Sequence, residues 1–428
     1  MAVTLRVQCI TSYAELLGLR EDWQALERSA GMDLPFQTWE WSTSWWKHLH
    51  EDRRGVRDTL RVYVVRDSSG EIVGIAPLML TERPRFGPIR IRFLQFIGAD
   101  PNITELHSML CNPGLEHQCH AAIRAHLGSQ AREWDWIAWE GPSSQTGSVA
   151  GMTDPLGNTQ EKSAFVLTLA PTWAELKKRL RRNVKESIRK CYNSLKRDGL
   201  TYRLETLEEP ADIELALPDF FRLHTARASL KGVTNHFDAF DSPEARAFLI
   251  DVCRRLAERR ITRVFRLWVD GKLVATRIGF EMAGTLYMYY SGWAPAYSQY
   301  SVMTTLVCEV IQQAIERGLN GVHLSTGNER SKTRWGTNEV CYASGVQFSP
   351  RRSARATHLL YEAVMQLRSN NTARAVIPGF LVRRSKAWVT SHSGSRDQQL
   401  PNSYNLAIAR RRCSCSSCST ESWTRRFG

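Results

Sequence analysis

No stretch of this 428-residue chain holds about 18 consecutive apolar residues, so nothing in it reads as a bilayer span. The start, Met1-Ala-Val-Thr-Leu-Arg6, lacks a basic segment followed by an apolar one. That absence predicts a protein that is not secreted and works in the cytoplasm. Cysteine lacks the regular spacing of a disulfide framework. Cys9, Cys111, Cys119, Cys191, Cys253, Cys308 and Cys341 stand singly, as buried thiols in a reducing compartment do. The dense group Cys413, Cys415 and Cys418 has no fourth Cys and no nearby His. A closed zinc site needs four ligands, so no metal is expected.

The hydrophobic share of 43% and charged share of 23% are those of a soluble globular protein. The length exceeds one ordinary core and predicts two domains. Charge is uneven. Through Gln160 the chain carries 15 Lys+Arg against 19 Asp+Glu, and the remainder carries 42 against 24. The excess gathers in Lys177–Arg197 and after Arg351, which points to an anionic partner such as a diphosphate, a nucleic acid or a lipid surface.

An internal echo organises the rest. Arg61-Val-Tyr-Val-Val-Arg-Asp-Ser-Ser-Gly-Glu-Ile-Val-Gly-Ile-Ala-Pro-Leu78 alternates apolar residues around a turn, and so does the run Arg263 to Phe280 around Asp270-Gly271. Both predict hairpins. Strands near 91–97, 106–110 and 134–139 follow the first, with a helix at about 116–127. A strand at 286–291, a helix at about 302–317 and a strand at 322–324 follow the second. Two copies of one α/β module account for that order. The Gly/Ser/Thr/Pro-rich segment 141–160 reads as the linker. Thr172-Trp-Ala-Glu175 opens a helix running to about Arg197, with cations on all its faces. Pro243 opens another helix, and a further one is expected over about 356–367. From about Ser391 the chain is polar, basic and aperiodic, and reads as disordered.

The chain resembles the CelD/BcsL-type acetyltransferases, a tandem-GNAT group related to the FemAB peptidyl transferases. The residues that carry this are Leu34-Pro-Phe-Gln-Thr-Trp-Glu-Trp41, Trp45-Trp46, Ile75-Ala-Pro-Leu78, Leu180-Arg-Arg-Asn-Val-Lys185, Phe221-Arg-Leu-His224-Thr-Ala-Arg227, Tyr289-Tyr-Ser-Gly292 and Gly327-Asn-Glu-Arg-Ser-Lys332-Thr-Arg-Trp335. They span most of residues 10 to 340. The resemblance implies an α/β (α+β) protein of tandem GNAT-like folds, mixed central sheets flanked by helices. It implies a first half over 1–150, an acetyltransferase half over 161–350, and a helical extension with a basic tail over 351–428. The implied activity is acyl transfer from acetyl-CoA or another acyl-CoA to an amine or hydroxyl of an envelope or exopolysaccharide precursor. Two absences separate this chain from the pattern. The glycines that bare backbone N–H groups to a diphosphate are replaced in Gln299-Tyr-Ser-Val302-Met-Thr304, and Ser331 stands where the family has Tyr before Lys.

Acyl transfer needs a proton acceptor for the nucleophile, polarisation of the thioester carbonyl and a hold on the diphosphate. His224 is the first candidate for the proton, with Arg227 one helical turn on. The plainer alternative is a buried His donating to a backbone carbonyl. Glu329, Lys332 and Trp335 are spaced to line one stripe. Lys332 is then a candidate to stabilise developing charge or, with Arg227, to orient an anionic acceptor, Glu329 is an alternative base, and Asn328 and Trp335 are acceptor contacts; a surface ion pair is the simpler reading. Tyr300 and Ser301, ahead of the long helix, are the candidates to face the donor phosphates, Ser301 being otherwise a helix N-cap. Trp39, Trp41, Trp45 and Trp46 read as a core stripe before they read as a sugar platform. The basic segment 177–197 reads as a solvated helix or as a contact for tRNA or an anionic surface. That contact favours a second function, aminoacyl-tRNA-dependent peptidyl transfer. A third is a non-catalytic protein that kept the fold.

Overall fold

The computed structural model describes residues 4–84, 90–100, 102–143, 160–230 and 237–369. The linker segment 144–159, the tail from 370 and its cysteines Cys413, Cys415 and Cys418 lie outside the described residues.

The first part of the chain forms β1 (Arg6–Ile10), α1 (Tyr13–Gly18), α2 (Arg20–Ser29), α3 (Trp39–Leu49), β2 (Asp52–Arg53), β3 (Val56–Arg66), β4 (Ile72–Arg83), β5 (Ile91–Phe96), β6 (Leu110–Cys111), α4 (Glu116–Ser129) and β7 (Trp136–Pro142). There follow β8 (Gln160–Thr168), α5 (Trp173–Arg179), α6 (Arg182–Arg197), β9 (Tyr202–Leu207), α7 (Pro210–Ala228), α8 (Pro243–Glu258), β10 (Thr262–Val269), β11 (Lys272–Met282) and β12 (Thr285–Trp293). The chain then runs through α9 (Val302–Glu316), β13 (Gly321–Thr326), α10 (Arg330–Thr333), β14 (Asn338–Phe348) and α11 (Arg352–Ser369).

All the strands join one mixed 14-stranded sheet, ordered β1-β3-β4-β5-β7-β14-β8-β13-β12-β11-β10-β9, with β2 on β3 and β6 on β4. The echoed hairpins are β3–β4 and β10–β11. Strand β14 joins the two sets, pairing β8 through Asn338–Ser344 and β7 through Tyr342–Phe348.

Three expectations need correction. The basic helix is two helices. Leu180 adopts an extended φ of −67° and ψ of 144° between α5 and α6 and is buried, because an apolar side chain at that point packs better in the core than on a continuous helix face. Nor is α6 cationic all round: Val184, Ile188, Cys191 and Leu195 form a buried stripe. The strand expected over 106–110 shrinks to β6, since the segment before it is held by side chains such as His107, which bonds Glu140 and the Gly98 carbonyl at 2.9 Å each.

The tryptophan stripe is core. Trp39, Trp41, Trp45 and Trp46 are all buried, and Trp41 meets Phe248 of α8 edge-on at 5.2 Å. Three of their indole N–H groups are satisfied inside, Trp39 by the Leu16 carbonyl at 2.9 Å, Trp41 by Thr104 Oγ1 at 3.1 Å and Trp45 by Asp100 at 2.9 Å. The same seam holds a buried ion cluster. Arg259, the residue that caps the C-terminus of α8, donates to Glu40 at 2.6 Å and to Glu27 at 2.7 Å, locking the second set of elements to the first.

Candidate functional site

Strands β12 and β13 run parallel, but their pairing stops after three positions, at Tyr287 and His323. Beyond it β12 continues to Trp293 and β13 to Thr326. Two irregularities accompany the divergence. The β11–β12 register shifts between Arg277 and Gly279, and the β13–β8 register shifts between His323 and Thr326, where Ser325 takes φ +71°. Such bulges bend strands and re-aim side chains. A cavity of about 560 Å³ fills the gap, lined from β11, β12, β13, α7, α9, α10 and by Glu105.

The start of α9 forms one end. Ser301 sits in the left-handed region, φ +52° and ψ 43°, between the 3-10 turn Pro295–Tyr300 and the helix. Its side chain makes no capping bond, so it does not play the N-cap role its position suggested. Its carbonyl instead accepts from Thr304 N at 2.7 Å. The first-turn amides of Val302 and Met303 have no partner within the helix, and both residues line the cavity. Val302 is itself buried in the apolar cluster of Leu306, Leu324 and Trp335, and the cavity stays open beside it. Arg334 stands at this end, donating to Thr304 Oγ1 at 3.1 Å and lying 5.3 Å from the Trp335 ring centre. Burial draws its guanidinium pKa down, and it forms no ion pair with a carboxylate among the described residues.

The loop that carries Glu105 forms the other end. Three tyrosines of β12 fasten it: Tyr290 donates to the Asn102 carbonyl, Tyr289 to the Ile103 carbonyl, and Tyr287 to the Glu105 carboxylate. Burial pushes all three phenols up, so they remain donors. Ser325 Oγ donates to Glu105 as well, at 2.7 Å. Beside it, His323 stacks on Tyr287 with ring centres 4.3 Å apart and accepts from Ser325 N at Nδ1, 3.1 Å away. Burial, then the charge of Lys332, lowers its pKa to about 3, so the ring is neutral with its proton on Nε2.

The cavity gathers Arg227, Ser301, Glu329, Lys332 and Trp335 from the residues singled out in the sequence. Arg227 donates to Ser291 Oγ at 3.0 Å. Lys332 pairs with Glu329 at 2.8 Å and donates to the Thr326 carbonyl at the end of β13. Trp335 is buried and donates to the Ser331 carbonyl at 3.1 Å.

His224, Tyr300 and Asn328 are not among the lining residues. His224 is 4% exposed, stacked on Phe220 and flanked by Phe240 and Tyr290. Its Nδ1 donates to the Ser291 carbonyl at 3.0 Å, the plainer of its two sequence readings. Burial lowers its pKa, opposed by that carbonyl and by Asp238, whose carboxylate is 3.5 Å from Nε2. Tyr300 donates to Asp198 at 3.0 Å and Asn328 is exposed.

Three charged lining residues escaped sequence reasoning: Glu105, Arg277 and Arg334. Arg334 lay inside the quoted Gly327–Trp335 motif, next to residues that drew attention. Arg277 alternates with core positions of a strand, a polar residue on an otherwise buried face. Glu105 carries no local signal, because only the sheet topology brings its loop to β12 and β13.

Residues 181–333 match the family described as Acetyltransferase (GNAT) domain. No curated protein matches the chain. Among solved structures the chain is similar to FemX, at 11% identity and a TM-score of 0.50, over 75% of this chain and 95% of that one. It is also similar to the C-terminal domain (DUF2156) of a lysylphosphatidylglycerol synthetase candidate from Agrobacterium fabrum. That match has 12% identity and a TM-score of 0.46, over 83% and 97% of the two chains. A tandem GNAT protein from the clavulanic acid biosynthesis pathway gives 12% identity and a TM-score of 0.40, over 81% and 99%. At such identities the likeness to FemX is one of fold.

Proposed function

We propose that this protein is an acyltransferase that moves an acyl group, acetyl in the simplest case, from acyl-CoA to an amine or hydroxyl of an acceptor held in the cavity. The observation that carries this reading is the cavity itself, bounded at one end by a bare helix start and at the other by the half-buried carboxylate of Glu105. The amides of Val302 and Met303, the Ser301 hydroxyl and Arg334 suit a diphosphate. Arg334 supplies the attraction that the missing glycines would otherwise have provided through backbone alone.

The thioester then lies between β12 and β13, where the strands no longer pair and backbone N–H groups are free to polarise its carbonyl. Glu105 takes the proton from the attacking amine or hydroxyl, with Ser325 as the hydroxyl through which it passes. The acyl carbon bonds to the acceptor atom, the thioester C–S bond breaks, and the departing thiolate takes up the proton that Glu105 received. Lys332 stands at the end of β13 where negative charge develops, its own position set by Glu329. His224 acts as a positioning residue, holding the Ser291 segment on which Arg227 rests. Asn328 and Trp335 border the acceptor entrance and its wall, and Tyr300, tied to Asp198, holds the turn before α9. An envelope or exopolysaccharide precursor in the cytoplasm is the acceptor class that the CelD/BcsL resemblance favours.

Calorimetry with acetyl-CoA tests the donor assignment. Saturable one-to-one binding, weakened about tenfold or more by Arg334→Gln, supports it, and no binding of any acyl-CoA overturns it. The second reading, transfer from an aminoacyl-tRNA, is favoured by the exposed cations of α5 and α6, including Lys177, Lys178, Arg181, Arg182 and Arg189. They flank the α9 end through Arg334 and Ser187, 3.5 Å apart. Binding to tRNA that falls steeply with salt, without acyl-CoA binding, would favour that reading.

A further inference from the structure

The lining of the cavity carries four cations, Arg227, Arg277, Lys332 and Arg334, against two carboxylates. Both carboxylates are already engaged, Glu329 with Lys332 and Glu105 with two hydroxyls. Arg277 is the exception among these cations in how little it is given. It projects half-buried from β11 at the bulge, and its one hydrogen bond among the described residues runs from Nη2 to the Met288 carbonyl at 3.2 Å. Its Nε is buried with no acceptor among the described residues. Burial and the neighbouring Arg227 push the guanidinium pKa down to about 10, with Glu105 acting the other way from beyond ion-pair distance.

A guanidinium has five N–H donors in a planar fork that matches an oxyanion. Leaving such a group under-satisfied inside a protein is strongly unfavourable, and structures keep that arrangement where a ligand completes it. A neighbouring cation makes the empty site worse and the filled one better. Arg227 is that neighbour, fixed by Ser291.

We propose that Arg277, beside Arg227, is the receptor for an oxyanion carried by the acceptor, a carboxylate or a phosphate, so that the protein selects anionic acceptors. This rests on the acyltransferase reading for the word acceptor, but the binding site stands on its own geometry. An anion seated there occupies the same cavity as Glu105, so a molecule anchored by its charge presents its amine or hydroxyl toward the carboxylate. A neutral sugar or a simple alkylamine would leave Arg277 unmatched and would be rejected.

The test uses thermal unfolding of the full chain in sodium acetate and in sodium phosphate, each against sodium chloride of equal ionic strength, with an acetyl-CoA arm alongside. Wild type, Arg277→Met and Arg277→Lys are compared. The expected result is a midpoint that rises saturably with acetate or phosphate in the wild type. Arg277→Met should need an anion concentration about tenfold higher or more, and Arg277→Lys, which keeps charge but loses the fork, should fall between. The anion-free midpoint of Arg277→Met should equal or exceed that of the wild type, because a half-buried, under-satisfied cation has gone. A wild type that responds to neither anion overturns the proposal. So does an Arg277→Met chain that keeps the full response, or one that unfolds or melts lower without anion, which would make Arg277 structural. An acetyl-CoA shift abolished by Arg277→Met would assign the residue to the donor and overturn it too. If acetyl-CoA shifts neither protein while the anion response follows Arg277, the oxyanion site stands and the acyltransferase reading falls.

Discussion

Ser325 donates to Glu105 at 2.7 Å across 220 residues of sequence. With Tyr287 bonding the same carboxylate, the contact places an acidic group from the first part of the chain inside a cavity built almost wholly by the second. The cavity therefore depends on both parts being present and docked.

Replacing Glu105 by Gln keeps the shape of the side chain and removes its capacity to take a proton. Turnover should fall by about 10²–10⁴-fold, the usual contribution of a positioned general base, with acyl-CoA affinity unchanged. Steady-state kinetics beside calorimetry separates the two. Equal turnover in Glu105→Gln would return the search for the base to Glu329.

Gly292 packs directly beneath α7. A Cβ there would stand 2.4 Å from His224 N and 2.5 Å from the Leu223 carbonyl carbon, both rigid helix backbone. Gly292→Ala should destabilise by about 1–3 kcal/mol, the range for overpacking, and displace His224 and Arg227 together. Denaturant unfolding reads the first effect and a raised KM the second. A neutral substitution would mean that α7 can lift from β12 freely.

The ion cluster of Arg259 with Glu27 and Glu40 is buried on the carboxylate side, Glu27 at 3% and Glu40 at 1% exposure. Burial pushes the Glu27 carboxyl up while the two carboxylates raise the Arg259 guanidinium. Contacts of 2.6 and 2.7 Å make the charged cluster the state near neutral pH. Arg259→Ala leaves both acids unmatched and should destabilise by about 3–5 kcal/mol. Because Glu27, whose carboxyl burial already pushes up, can then escape its charge by taking a proton, the loss should shrink as pH falls. Urea melts of wild type and variant at two pH values check this.

His323 is held neutral, with its pKa lowered to about 3 by burial and by Lys332. A depressed folded-state pKa means the unfolded chain binds the proton first, at about 6.5. Its contribution to stability is therefore present above about pH 6.5 and lost as pH falls toward about 3. His224 shifts the same way, whereas the imidazole of His107, raised by Glu140 against the opposing effect of burial, favours folding at lower pH. His323→Gln should flatten the acid limb of the stability curve over that window, read by unfolding free energy against pH. An unchanged slope would show that the ring is already charged in the folded chain.

Much of the fold could be read from local pattern because its elements have local causes. The hairpins at Asp67–Gly70 and Asp270-Gly271 follow from turn residues between alternating runs, and the helix at 302–316 from its apolar stripe. Among the strands that escaped, β8, β9 and β14 depend on partners far away. Edge strand β9 is half exposed, and β14 is mostly half-buried between two neighbours it meets only in the folded sheet. The cavity divides the same way. Glu329, Lys332 and Trp335 come from one short segment, so spacing alone could group them. Arg277 and Glu105 are joined by topology, and His224, drawn in by its motif, turns its ring toward Phe220, Phe240 and Tyr290.

The most direct test of the donor site is the thermal midpoint of wild type and Met303→Glu with acetyl-CoA, longer acyl-CoAs and free CoA. A carboxylate in the first turn of α9 favours the helix and repels a diphosphate. The account predicts a wild-type stabilisation of about 2.7 kcal/mol at a hundred times the dissociation constant, and its loss in a variant that is no less stable alone. No shift with any acyl-CoA, or a shift that Met303→Glu leaves intact, would contradict it.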